Sequence, residues 1–141
     1  MLRHLKKLIP SSLFKTLQPR YHWLLALWSA IWYGFPSRKI VVIGVTGTKG
    51  KSSVVEILNA LFDQAGYKTA VAGTIRFKVG DRSWRNLFKM TMPGREYFLQ
   101  RFLWEAVREE CQYAFIEMTS EGAKIYRHAF INLDTLIFTN L

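Results

Sequence analysis

The 141 residues include a single cysteine, Cys111, which excludes both a disulfide framework and a cysteine-based metal site. A lone thiol fits a reducing, cytoplasmic setting. Acidic residues are missing from the whole amino-terminal stretch: Glu56 is the first, and all ten carboxylates lie from there onward. Nine Lys and Arg residues precede it. A basic leader of this kind points to an anionic partner, either a phosphorylated ligand, a membrane surface or nucleic acid. No nucleic-acid recognition motif accompanies the charge, so nucleic acid is set aside. Apolar runs of spanning length are also missing. Tyr21 to Ser37 carries no Lys, Arg, Asp or Glu and includes Trp23, Trp28 and Trp32, but its apolar centre, His22 to Phe35, is too short. A membrane span needs about 20 residues. No small-residue cleavage site follows it. The segment reads as a helix that packs on the domain or makes peripheral contact with a membrane interface, a role open to residues 1–37 as a whole. There is neither an internal repeat nor a low-complexity tract. With half the chain apolar and 15% of it aromatic, disorder is excluded.

Two regions follow from the change in texture. Residues 1–38 form a basic and aromatic helical leader. Leu2, Leu5, Ile9, Leu13 and Leu17 recur at near-helical spacing, with breaks expected at Pro10, Pro19 and Gly34-Phe35-Pro36. Residues 39–141 form one α/β unit. Ile40 to Val45 is a continuous β-branched run, the pattern of a strand buried on both faces of a parallel sheet. A helix is expected from Ser52 to Ala65 with Val54, Leu58, Leu61 and Ala65 on its apolar face, ended by Gly66. Further strands are expected at 68–73, 113–118 and 135–138. A hairpin or extended excursion is expected over 75–89 around Gly80-Asp81, and a helix over 95–110. The alternation predicts an α/β fold with a parallel sheet of the phosphate-loop type and right-handed crossovers.

Between the first strand and the first helix of that unit lies Thr46-Gly47-Thr48-Lys49-Gly50-Lys51-Ser52, with Ser53 beside it. Glycines let backbone amides turn inward around an anion, and the helix that follows presents its positive end. Lys51 is placed to reach the β- and γ-phosphates of ATP, and the Ser52 hydroxyl suits Mg²⁺. The strict G-x-x-x-x-G-K-[ST] spacing is missed by one position, because Val45 stands where its first glycine belongs and Gly44 comes one residue early. Tyr113 to Glu117 is an apolar strand ending in a carboxylate, which suits Glu117 to a second Mg²⁺ contact. A solvated strand end is the plainer reading of Glu117 taken alone.

Gly44 to Ser52 resembles the nucleotide loop of the Mur ligases, G-x-T-G-T-N-G-K-[TS], and that variant accounts for the displaced glycine. The resemblance continues through Ala65 to Ala70 and Gly73-Thr74-Ile75. Thr91-Met92-Pro93 is similar to a T-T-P motif and Glu117 to Ser120 to E-x-S-S, while Arg127 and Phe138-Thr139-Asn140-Leu141 also fit. It covers residues 39–141 and looks closest to the synthetases that extend UDP-N-acetylmuramoyl peptides. The resemblance implies an amide-bond ligase that passes through an acyl phosphate, using ATP, Mg²⁺, a muramoyl-peptide or lipid-linked precursor and an amino acid. It assigns catalysis to Lys51 and Glu117, Mg²⁺ to Ser52 and Glu117, and the acceptor side to Thr91, Ser120 and Arg127.

The chain departs from the pattern at Lys49, in place of Asn, at Met92, in place of the second Thr, and at Glu121, where His or Gln is common. A leader this short leaves no room for a separate UDP-sugar domain. The chain closes before the family's metal-binding His and modified lysine, so an incomplete central domain, inactive in ligation by itself, is expected. A folylpolyglutamate synthase-like ligase is the alternative enzyme, disfavoured by the adjacency of Lys51 and Ser52. A non-catalytic nucleotide-binding module is the alternative from another class.

Overall fold

A computed structural model describes residues 11–85, 95–120, 122, 126 and 128–140, without the side chains of 11–19, 95 and 96. Helix α1 spans Ser11–Trp32, and a short 3-10 turn follows at Pro36–Arg38. The α/β unit then runs β1 (Val41–Thr46), α2 (Lys51–Gln64), β2 (Thr69–Ala72), β3 (Arg76–Val79), β4 (Arg82–Arg85), α3 (Arg95–Arg108), β5 (Tyr113–Glu117) and β6 (Thr135–Phe138). The six strands form one sheet in the order β4-β3-β2-β5-β1-β6. β2, β5, β1 and β6 are parallel, while β3 and β4 extend the sheet antiparallel from β2. The expected parallel sheet is therefore present with an antiparallel hairpin added at one edge. Its turn is the two residues Gly80-Asp81, the length favoured for hairpins.

The β-branched composition of β1 reflects its place between β5 and β6, with both faces covered. On one face, Val42, Ala70, Ala72, Ala114 and Ile116 pack against Leu99, Phe102, Leu103 and Ala106 of α3. Phe77 joins this layer and meets Phe98 edge-on at 4.8 Å between ring centres. On the other face, Val45, Val71 and Phe115 pack against Val55, with Val54, Leu58 and Phe62 of α2 around them. Each of the large side chains buried here contributes about 1.5–3 kcal/mol relative to exposure.

The apolar face of α2 differs from the expected one. Val54 and Leu58 lie on it, but Leu61 and Ala65 face solvent, and Val55, Asn59 and Phe62 take the inward positions. At 3.6 residues per turn, Leu61 stands about a quarter of a turn from the line through Val55, Leu58 and Phe62. The end of α2 agrees with expectation: the amides of Gly66 and Tyr67 donate to the carbonyls of Asp63 and Phe62 at 3.0 Å.

α1 also departs from expectation, running unbroken through position 19. Proline there forfeits one backbone hydrogen bond, and packing along α3 offsets that loss. His22, Ala26, Ser29 and Ala30 form the buried side of α1. Tyr33, just past its end, lies against Tyr97 and Trp104 of α3 at 5.2 and 5.8 Å. α1 is thus an outer tier on α3. The break expected at Pro10 lies outside the described residues.

Candidate functional site: the phosphate loop

Parallel register gathers the site at one end of the sheet. Val45 pairs with Glu117, Thr46 with Phe138 and Ala72 with Ile116, so β1, β5, β6 and β2 all end together. The loop from Gly47 to Gly50 leaves β1 at that end and enters α2 at Lys51. Gly47 has φ 138°, and a Cβ there would fall 2.2 Å from Thr139 Oγ1 and 3.1 Å from Asn140 backbone atoms. Only glycine satisfies both conditions. Among the described residues α2 has no acidic side chain in its first turn and no side-chain cap, so its first amides are turned toward an incoming anion.

The Lys51 Nζ donates to the Gly47 carbonyl at 2.8 Å and to the Thr48 carbonyl at 3.4 Å. Its ammonium is therefore curled over the loop, where a phosphate would sit. The Ser52 hydroxyl donates to Glu117 Oε2 at 3.0 Å. The same oxygen accepts the backbone amide of Thr74 at 2.9 Å. Glu117 is only 5% exposed, so these two donors offset much of the cost of burying a carboxylate. Ser52 and Glu117 are thus brought together, while the Lys51 ammonium lies on the adjoining loop carbonyls. Lys49 and Ser53 are exposed, and so is Ser120, one turn past the end of β5. Thr91 and Arg127 lie outside the described residues.

A hydroxyl and a carboxylate at this separation are hard oxygen donors that fit Mg²⁺, which takes few protein ligands and completes its shell with water and phosphate oxygens. Among the described residues there is no cluster of three or more His, Cys, Asp or Glu able to hold a metal.

Two elements of the site were not assigned from sequence. Asn140 Oδ1 accepts from the Thr48 amide at 2.9 Å, the Thr48 hydroxyl at 2.7 Å and the Lys49 amide at 3.2 Å. Thr139 adds its hydroxyl to the Lys49 carbonyl at 2.6 Å, and its amide to the Thr46 carbonyl at 2.9 Å. The end of β6 therefore clamps the phosphate loop. The Thr139-Asn140 pair was visible as part of a motif, but the three bonds converging on Asn140 were not. The Thr74 amide carries no sequence signal, because any residue but proline supplies one.

Polar chemistry elsewhere is structural. Lys78 is buried and bonds to Asp63, Thr69 and Asn59. Burial pushes the Asp63 carboxyl up, but hydrogen bonds from Lys78, Thr69 and Asn59, with the Lys78 charge, together hold it below its ordinary value. Burial raises the Cys111 thiol, which keeps it protonated and unreactive. A cavity of about 580 Å³ between β4 and α3 is lined by Arg82, Arg101, Arg108, Glu105, Glu109 and two tryptophans. Its arginines are engaged within it: Arg82 pairs with Glu109, Arg101 with Glu105, and Arg108 stacks over Trp104.

Comparison with known proteins agrees with this fold. The profile of the family described as Mur ligase middle domain matches residues 45–141. The UDP-N-acetylmuramoyl-L-alanyl-D-glutamate--2,6-diaminopimelate ligase of Syntrophomonas wolfei is 35% identical over 117 residues, covering 83% of this chain and 23% of that protein. The UDP-N-acetylmuramyl-tripeptide synthetase of Borreliella burgdorferi is 37% identical over 116 residues, covering 80% and 23%. The chain thus spans about a quarter of the length of such relatives. A solved structure of a UDP-N-acetylmuramoyl-L-alanyl-D-glutamate--2,6-diaminopimelate ligase superposes with a TM-score of 0.61 at 24% identity, over 72% of this chain and 20% of that one, and supports the fold. Matched by that profile over more than half of its length, the chain belongs to the Mur ligase family through the family's middle domain.

Proposed function

We propose that this chain supplies the ATP-binding part of an ATP-dependent carboxylate–amine ligase acting on peptidoglycan precursors in the cytoplasm. The observation that carries the reading is the convergence of Lys51, the glycine loop and the Ser52–Glu117 pair at the carboxyl end of a parallel sheet. In the reaction, a carboxylate oxygen of a muramoyl-peptide attacks the γ-phosphorus of ATP, and the bond to the ADP oxygen breaks. The amine of an amino acid then attacks the acyl carbon, loses its proton and expels phosphate. Charge on the transferring group is met by the amides of Gly50 to Ser52 at the start of α2 and by Lys51. Ser52 and Glu117 would hold Mg²⁺, which neutralises phosphate charge when bound. Thr91, Ser120 and Arg127 are assigned to the acceptor side by family resemblance.

Calorimetry of Mg²⁺-dependent ATP binding to the 141-residue chain tests the phosphate site. Lys51→Ala should weaken binding by about 2 kcal/mol, a factor of about 30, since it removes a charge-assisted contact. Equal binding by both proteins would overturn the reading. Acyl phosphate formation is read by trapping with hydroxylamine, offering UDP-linked and lipid-linked muramoyl-peptide in separate arms.

A further inference from the structure

We propose that the outward face of α1 is an interfacial docking surface for an anionic lipid bilayer. The outward side of the helix is apolar although it faces solvent. Its inward side, His22, Ala26, Ser29 and Ala30, is spent on α3. The opposite side carries Leu24, Trp28 and Ile31, exposed by 58%, 62% and 56%, with Tyr21 and Trp32 on its flank at 61% and 68%. At about 100° per residue, Leu24, Trp28 and Ile31 lie within one 60° sector facing away from α3. A helix exposed to water presents polar residues on that side, so a contiguous apolar outward face points to a cover.

Two observations identify the cover as lipid. The first is charge. Arg20 is exposed on the helix itself and Arg38 and Lys39 are exposed at the turn that follows it, and no described carboxylate pairs with any of them. No acidic residue precedes Glu56 in the chain, so the helix and the turn after it contribute no negative charge of their own. Basic residues bordering exposed tryptophans match an anionic headgroup layer above acyl chains. The second is shape. A cavity of about 350 Å³ opens along the same helix, lined by Arg20, Trp23, Leu24 and Tyr126. Its apolar walls suit methylenes, and the Arg20 guanidinium suits a lipid phosphate. No described helix is long and apolar enough to cross a membrane, so the contact is one that lies in the interface. This face is on the opposite side of the sheet from α2, and its occupation leaves the phosphate loop open.

Co-sedimentation of the full chain with phosphatidylcholine vesicles, with and without phosphatidylglycerol, tests the proposal. The anionic vesicles should retain the protein, shift its tryptophan emission to the blue and release it as salt is raised. Leu24→Ser/Trp28→Ser/Ile31→Ser should lower retention by about tenfold or more, since binding scales with the apolar area inserted. Arg38→Gln/Lys39→Gln should weaken binding to anionic vesicles alone, while leaving a normal circular dichroism spectrum. Circular dichroism and a cooperative thermal melt confirm that the triple variant is folded. Failure of wild-type retention, retention unaffected by either variant, or a stable dimer that protects Trp28 without lipid would overturn it. Loss of ATP binding does not bear on this face, and loss of vesicle binding does not bear on the phosphate loop.

Discussion

Ser52 Oγ and Glu117 Oε2 meet at 3.0 Å across 65 residues of sequence, joining the start of α2 to the end of β5. The contact brings the hydroxyl of a phosphate loop to a carboxylate that is otherwise buried among apolar strands. Two such oxygens would hold a divalent cation, which would supply charge neutralisation for a bound phosphate.

Glu117→Gln isolates the charge from the packing, because the amide oxygen still accepts the Thr74 amide. ATP binding in the presence of Mg²⁺ should weaken by about 2 kcal/mol, roughly 30-fold. Binding in EDTA should change little. Titration calorimetry under both conditions gives the comparison, and an equal loss in both would remove the carboxylate from the metal site.

Asn140→Ala removes one acceptor that receives three donors of the loop. The loop should lose its preset shape, and ATP should bind about tenfold more weakly through the cost of reordering it. The Thr48 and Lys49 amides should also exchange with deuterium faster, which mass spectrometry after quenching would resolve. Unchanged exchange at both would show that β6 does not hold the loop.

Acid should destabilise the fold through Asp63. Its carboxyl is held below the ordinary 3.8 in the folded chain, chiefly because bonds from Lys78 and Thr69 outweigh the opposing effect of burial. The folded state therefore binds this proton more weakly than the unfolded state does. The stabilisation is complete above the ordinary value and is lost as pH falls through the lower, folded one. The side chain is 37% exposed, so the effect is modest. Thermal melts across the acid range should show a shallower decline for Asp63→Asn than for the wild type, and parallel curves would refute the assignment.

The local conformation of the glycine loop was legible in the linear sequence. A β-branched run, glycines at Gly47 and Gly50, and Lys51-Ser52 before an amphipathic stretch each act within a few residues, through backbone conformation and helix polarity. The buried strands and α3 were legible for the same reason, since period and burial are local patterns. The phase of α2 was misread at Leu61, because a helix with apolar residues on more than one side does not declare which side the sheet will cover. Breaks read at Pro19 failed where packing outweighed propensity. Three things rested on tertiary structure alone: the order β4-β3-β2-β5-β1-β6, the contact of Glu117 with both Ser52 and Thr74, and the clamp of Asn140 on Thr48 and Lys49. Each joins groups far apart in the chain, and parallel register brings them to one edge of the sheet. The conformation of the glycine loop was thus set by local sequence, whereas its partners were chosen by the register of strands that only long-range packing aligns.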